Sequence, residues 1–348
     1  MSTPNEIPFQ ELLDALLDEN TPLHPRYLYR LADLSETDLA RLEQTWPRVS
    51  TWRRRALMED VEELGESDYL LSFEALARLA VEDPDSKVRM HSVHILWEYE
   101  EDDLIDLFLD LLSTDEDPLV RAAAATGLGT YVYLGEIEEL DQQDLVNIEN
   151  SLLRVANSTE APIVRRRALE SLGFSSRPEV PPLIEAAYSS QESDWLVSAL
   201  FAMGRSADDR WRPAVMDMVD HPNSTVRAES VRAAGELEIA EAGPLLLDML
   251  EDEDEDVRSA AIWSLSQLGG EGVRDALEIL QEESEDDEEI DYIESALDNL
   301  SFTEEMQLYS LIDLPDDEID TLDEDEDLSI SEDFEPTEDE DLDIDEDE

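Results

Sequence analysis

One short pattern recurs along most of this chain, and it constrains the fold more than any other feature. The six copies start at Val88-Arg89, Val120-Arg121, Val164-Arg165, Trp195-Leu196, Val226-Arg227 and Val257-Arg258. Four residues after each start comes a small residue: Ser92, Ala124, Ala168, Ala199, Ser230 or Ala261. Four further on stands Leu96, Leu128, Leu172, Met203, Ala234 or Leu265, and Gly129, Gly173, Gly204 and Gly235 follow directly. The starts at 164, 195, 226 and 257 are 31 residues apart. Degenerate copies flank the series at Trp52-Arg53 and at Tyr292, Ala296 and Leu300, with spacings of 36, 32 and 44 before residue 164.

Apolar residues at positions 0, 4 and 8 make one stripe of an α-helix, at about 0°, 40° and 80° for roughly 100° per residue. Asp85, Asp117, Asn223 and Asp254 precede the valines by three and are placed to N-cap that helix. Pro84, Pro118, Pro162 and Pro222 mark the turn into it, and the glycine at position 9 suits a helix C-cap. A second helical pattern precedes several copies: Phe73 to Ala80, Leu104 to Leu112, Pro182 to Tyr188 and Leu245 to Leu250. Each unit is therefore helix A, a tight turn and helix B. Two helices of this length cannot bury their apolar faces alone and must stack on further copies.

The D-x-x-V-R-x-x-A-x-x-x-L-G unit resembles the HEAT repeat, in the short form of the phycobilin lyases. The chain as a whole resembles bacterial HEAT-repeat proteins with acidic C-terminal tails. The resemblance covers residues 46–302. It implies an all-α, right-handed α-solenoid of about seven to eight helical hairpins. The expected layout is an N-terminal helical cap over 1–45, the solenoid over 46–302, a capping helix over 303–314 and a disordered acidic tail over 315–348. Within the cap, Phe9 to Leu17, Tyr27 to Leu34 and Asp38 to Trp46 read as helical. Thr303 reads as the N-cap of the last helix, with Met306, Tyr309 and Ile312 as its stripe.

Charge excludes several functions. The chain has 93 acids against 23 bases, a net charge of −70. The last 36 residues hold 22 acids and no base, which leaves the rest at −48. Such a surface repels nucleic acid and anionic membranes, so neither is an expected partner. Cysteine is absent, which removes disulfides and thiolate chemistry. No basic leader and no long apolar run is seen, and the expectation is a cytoplasmic protein. The same acid excess, with a single lysine, is also what a salt-rich cytoplasm favours.

Positions 2, 6 and 9 of helix B fall opposite the stripe, at about 200°, 240° and 180°. They read Met90, His94, Trp97; Ala122, Thr126, Gly129; Arg166, Glu170, Gly173; Val197, Phe201, Gly204; Ala228, Arg232, Gly235; and Ser259, Trp263, Ser266. In HEAT solenoids this face is concave. It carries almost no acid, and Met90, His94, Trp97, Arg166, Val197, Phe201, Arg232 and Trp263 compose a candidate site for a protein partner, with a basic partner favoured by the acidic body. The bland reading is that neighbouring helices bury these side chains. A polyanion that mimics nucleic acid and occupies a basic protein is the alternative function, and the tail's acids with Leu328, Ile330, Phe334, Leu342 and Ile344 would serve it.

The arginine column (Arg53, Arg89, Arg121, Arg165, Arg227, Arg258) reads as a scaffold ladder in which each arginine meets an acid of its own or the next repeat. At Trp195-Leu196 the ladder breaks, and Arg205, Arg210, Trp211 and Arg212 follow, either as a contact for an acidic ligand or as a solvated loop. No catalytic residue, cofactor or metal is assigned. His91 and His94, with Glu98 one turn on, lack the further ligands of a closed metal site. HEAT-repeat deoxyhypusine hydroxylases hold iron through His-Glu pairs, but here the histidines precede Pro25, Ser92, Ile95 and Pro222, so that activity does not carry over. No lyase motif is found either, and a non-enzymatic scaffold is the expectation, with a HEAT-type lyase or metal-dependent hydroxylase-like enzyme as the last alternative.

Overall fold

The computed structural model describes residues 7–311, with side chains through Thr303. The described residues through Thr303 belong to one compact unit, and a second unit begins at Glu304. Every regular element among the described residues is helical. Two helices come first, α1 (Phe9–Leu17) and α2 (Glu36–Thr45), then α3 (Thr51–Ser67). From there A and B helices alternate. The A helices are α4 (Glu74–Ala80), α6 (Asp102–Thr114), α8 (Gln142–Ala156), α10 (Val180–Ser189), α12 (Arg212–Met216), α14 (Gly243–Met249) and α16 (Val273–Glu283). The B helices are α5 (Ser86–Leu96), α7 (Pro118–Glu136), α9 (Pro162–Ser171), α11 (Ser193–Arg205), α13 (Ser224–Glu236), α15 (Glu255–Leu268) and α17 (Asp287–Leu311). This is the all-α solenoid expected from the repeat.

The caps form as the sequence requires. Asp85, Asp117, Asn223 and Asp254 each accept a hydrogen bond from the backbone N–H two residues on, at 3.2, 2.9, 3.0 and 3.1 Å. Pro118 and Pro162 take the first helical position, where no N–H is needed. The stripe is the core: Val88, Val120, Val164, Val226 and Val257 are completely buried, as are Ser92, Ala124, Ala168, Ser230 and Ala261. Each buried valine or leucine contributes about 1.5–3 kcal/mol relative to exposure. The long interval before residue 164 is taken up by α7, which runs on past Gly129, and by the 15-residue α8. In the added turns Tyr131 is buried, and its hydroxyl donates to the Glu101 carbonyl at 2.9 Å.

Three local expectations are corrected. Tyr27 to Leu34 is not a helix: a 3-10 turn over Pro25–Tyr27 leads into turns, and Asp33 stands at φ 49 with its N–H donating to the Ser72 carbonyl. The chain bends to bury Leu28 and Leu31, and a left-handed residue ends any helix there. Thr303 is not an N-cap. It lies inside α17, and its hydroxyl donates to the Asn299 carbonyl four residues back at 3.1 Å. The repeat glycines are not C-caps either. None of those four positions has a positive φ, whereas Gly269, which does end α15, has φ 62. The tail over 315–348 and its apolar residues, together with Ile312, lie outside the described residues, and the side chains of Met306 and Tyr309 are not described.

Candidate functional site

The repeat glycines build the platform on which the candidate residues stand. B helices pack on successive B helices, from α3 through α15. A Cβ placed on Gly173 would come 2.9 Å from the Ala202 Cα, and one on Gly235 would come 2.9 Å from the Ser264 Cα. Gly129 faces Ser171, and Gly204 faces Ala233 and Glu236. Position 9 thus meets position 7 of the next copy, and only a missing side chain lets the backbones approach this closely. Two serines at position 7 use the proximity: Ser171 and Ser264 donate to the carbonyls of Ala125 and Val231 on the preceding B helix, both at 2.8 Å.

The arginine column lies to one side of this row and is engaged in scaffold contacts. Arg89, Arg121, Arg227 and Arg258 each donate to the carbonyl six residues back, at 2.7 to 2.9 Å. Arg89 also forks onto Asp115 and Arg227 onto Asp252, each carboxylate being in the next repeat's turn. Asp115 and Asp252 in turn accept the backbone N–H of Asp117 and Asp254. Arg121 pairs with Glu160 at 2.8 Å. Arg53 bonds the carbonyls of Asp18 and Thr21, tying α3 to the N-terminal segment. At the break in the ladder, the Arg165 guanidinium lies 5.2 Å from the Trp195 ring, so a cation–π contact stands where an acid would be. Leu196 enters the core. Arg205, Arg210 and Arg212 pair with Glu236, Asp208 and Asp209, and Trp211 is buried, so this cluster is not an open cationic patch.

All eight candidate residues on the B face are half-buried. Met90, Trp97 and Val197 rest against the hydrophobic core, while Phe201 and Trp263 stand outside it. Glu170, Phe201, Arg232 and Trp263 occupy the same repeat position on α9, α11, α13 and α15, and so form one column across the row. Arg205 lies over both Phe201 (5.2 Å) and Phe174 (5.4 Å). Arg166 pairs with Asp194 at 3.1 Å, and Arg232 with Glu229 at 3.3 Å. Trp97 stacks on His94 with ring centroids 4.4 Å apart and donates its indole N–H to the Ala123 carbonyl at 3.1 Å.

The face is not as poor in acid as the sequence suggests. Glu170 and Glu229 are buried beneath it, and Glu236 is half-buried beside them. Glu170 accepts from the Ser198 hydroxyl at 2.6 Å and pairs with Arg167. Burial pushes the Glu229 carboxyl up to about 7 against the opposing pull of Arg232, with Glu236 and Glu170 adding repulsion. Burial also raises Glu236, and Arg205 and Arg232 oppose it. Positions 2, 6 and 9 include Glu170 but not Glu229 and Glu236, which follow position 2 and position 9 by one residue.

At the other end of the row, the structure adds a residue that the sequence does not single out. Glu62 on α3 reaches both His91 and His94 on α5: one carboxylate oxygen meets the His91 Nδ1, and the other meets the His94 Nδ1 at 2.7 Å. Burial would raise Glu62, but the bonds from the two imidazoles outweigh it and hold the carboxyl down at about 2. Glu98, the acid expected beside this pair, is exposed. The cluster borders a cavity of about 220 Å³ lined by Phe73, His94, Trp97, Tyr99, Glu66 and Glu98, among others. Tyr69 and Leu70 at its rim are 90% and 82% exposed, the most open large apolar side chains described. Glu62 precedes His91 by 29 residues and His94 by 32.

No described helix is long and apolar enough to cross a membrane. The family model described as HEAT repeats matches residues 73–173, 180–265 and 213–300. Among solved structures, the chain is similar to YibA of E. coli, at 18% identity and a TM-score of 0.41, covering 82% of this chain and 99% of that one. It is similar to the CpcE–CpcF complex of phycocyanin lyase from Nostoc, at 20% identity and a TM-score of 0.43, covering 65% and 94%. Human deoxyhypusine hydroxylase is similar at 15% identity and a TM-score of 0.34, covering 76% and 96%. A search among curated proteins finds no matching relative.

Proposed function

The chain belongs to the HEAT-repeat family, and from that premise we propose that it is a non-enzymatic scaffold that binds another protein along its B-helix row. Phe201 and Trp263 carry the reading: two large aromatic side chains on that row stand half-open and outside the core. Half-buried aromatics beside arginines have the composition of a binding hot spot. Arg166 and Arg232 supply hydrogen-bond donors on either side of Phe201, and Met90, His94, Trp97 and Val197 extend the same surface. The acidic body would speed the encounter with a basic partner without setting the geometry of the contact.

Truncating a hot-spot aromatic costs about 2 kcal/mol or more, a factor of roughly thirty in affinity. The test is Phe201→Ala combined with Trp263→Ala, assayed by co-purification of the partner. Helicity by circular dichroism should be unchanged and capture should be lost; undiminished capture would refute the reading. The alternative, a polyanion that occupies a basic protein, rests on the net charge of −70. Removal of residues 315–348 should abolish binding if charge carries it and spare binding if the row does.

A further inference from the structure

From Glu62, His91 and His94 we infer that this chain holds a divalent transition metal ion of the zinc and cobalt class, between α3 and α5. The inference stands on the convergence of these three residues and does not depend on the partner-binding reading.

The ligand types are those such an ion prefers: two imidazole nitrogens and one carboxylate oxygen. Their ligand atoms all lie within 4.8 Å of one another. Metal–nitrogen and metal–oxygen bonds of about 2.0–2.2 Å put tetrahedral ligand atoms roughly 3.3 Å apart. The widest pair therefore closes by at most about 1.5 Å and the His94–Glu62 pair opens from 2.7 Å, changes that side-chain torsions supply without moving the helices. His91 and His94 are three residues apart on α5 and so share a face. Glu62 comes from α3, which packs against α5, so the fold presents the third ligand.

The other two histidines behave differently. His24 and His221 each accept a backbone N–H two residues on through Nδ1, at 3.2 and 3.1 Å, as turn caps. Only His91 and His94 direct Nδ1 at a carboxylate. Three protein ligands leave a fourth position open, as in sites that bind water or a small ligand. The open side is the 220 Å³ cavity, where Trp97 and Phe73 give apolar walls and Glu66 and Glu98 give acceptors. A dipositive ion with one carboxylate and two neutral imidazoles carries a local charge of +1. The surrounding acidity favours that charge.

The experiment must separate this site from the many surface carboxylates. The full-length chain, stripped with a chelator, is titrated with Co2+ in millimolar Mg2+, which competes for oxygen-only sites and not for imidazole. One equivalent should develop intense visible absorption of nitrogen-ligated, low-coordinate cobalt, and Zn2+ should bleach it. The double variant His91→Ala/His94→Ala, and separately Glu62→Gln, should show only the weak spectrum of hydrated ions. If wild type and variants give the same spectrum, the inference fails. A second measurement needs no variant: in 15N-histidine-labelled wild type, Zn2+ should shift the imidazole signals of His91 and His94 and leave His24 and His221 in place. Uniform shifts, or none, would overturn it.

Discussion

Gly235→Ala is the perturbation that most directly probes how the B helices stack. In an unobstructed helix, alanine is better than glycine by about 1 kcal/mol. Here the new methyl would lie 2.7 Å from the Ser264 hydroxyl, 2.8 Å from its Cβ and 2.9 Å from its Cα. The nearest atoms include backbone, so relief requires α13 and α15 to separate. Overpacking of this kind costs about 1–3 kcal/mol. The shift also disturbs the bond from Ser264 to the Val231 carbonyl, worth about 1 kcal/mol. The net expectation is a loss of about 2 kcal/mol, measured by urea denaturation with the slope m compared between variants. Gly243→Ala is the control, since nothing lies within 4 Å of a Cβ there, and it should be neutral or slightly stabilising. A double-mutant cycle adds the discriminating result. Ser264→Gly should partly rescue Gly235→Ala, giving an interaction energy above about 0.5 kcal/mol. Strict additivity, or a stabilised Gly235→Ala, would refute close stacking and restore the helix-stop reading of these glycines.

Other perturbations have equally definite outcomes. Glu229 has its folded pKa raised from 4.5 to about 7, so the stability it allows is full below about 4.5 and is lost as pH rises through about 7. Glu229→Gln should therefore match wild type near pH 4.5 and exceed it by about 3.5 kcal/mol at pH 8, where 2.5 pK units are converted at about 1.4 kcal/mol each; parallel stability–pH curves would contradict this. Asp83 is buried, pairs with Arg54 at 2.8 Å and accepts the Trp46 indole N–H at 2.8 Å. Asp83→Ala strands a buried guanidinium and should cost about 3–5 kcal/mol in denaturation; a loss below about 1 kcal/mol would show that the pair is not structural.

Much of the solenoid can be read from the chain because its signals are local. A valine stripe, an Asp or Asn three residues before it and a proline at the turn suffice for the B helices, and the arginines at position 1 announce their own ladder. What the sequence hides is the relation between copies. Glycine at position 9 fits both a left-handed helix end and a close helix contact, and only the recurrence of Ala or Ser at position 7 of the following copy favours the second. Glu62 sits in a degenerate copy that begins at Trp52, so no repeat logic marked it. Glu229 and Glu236 escaped because a helix face wider than the counted positions is in contact here. Tyr27 to Leu34 has helical spacing, but Pro25 and Asp33 set turns that bury Leu28 and Leu31 in another way.

The binding role of the B row is the central claim, and a titration against the captured partner tests it most directly. Wild type, the Phe201→Ala/Trp263→Ala variant and the chain ending at Leu314 are compared at one salt concentration. The row predicts near-wild-type affinity for the shortened chain and a loss of roughly thirty-fold or more for the aromatic variant. Unchanged affinity in the aromatic variant, with binding lost in the shortened chain, would contradict it.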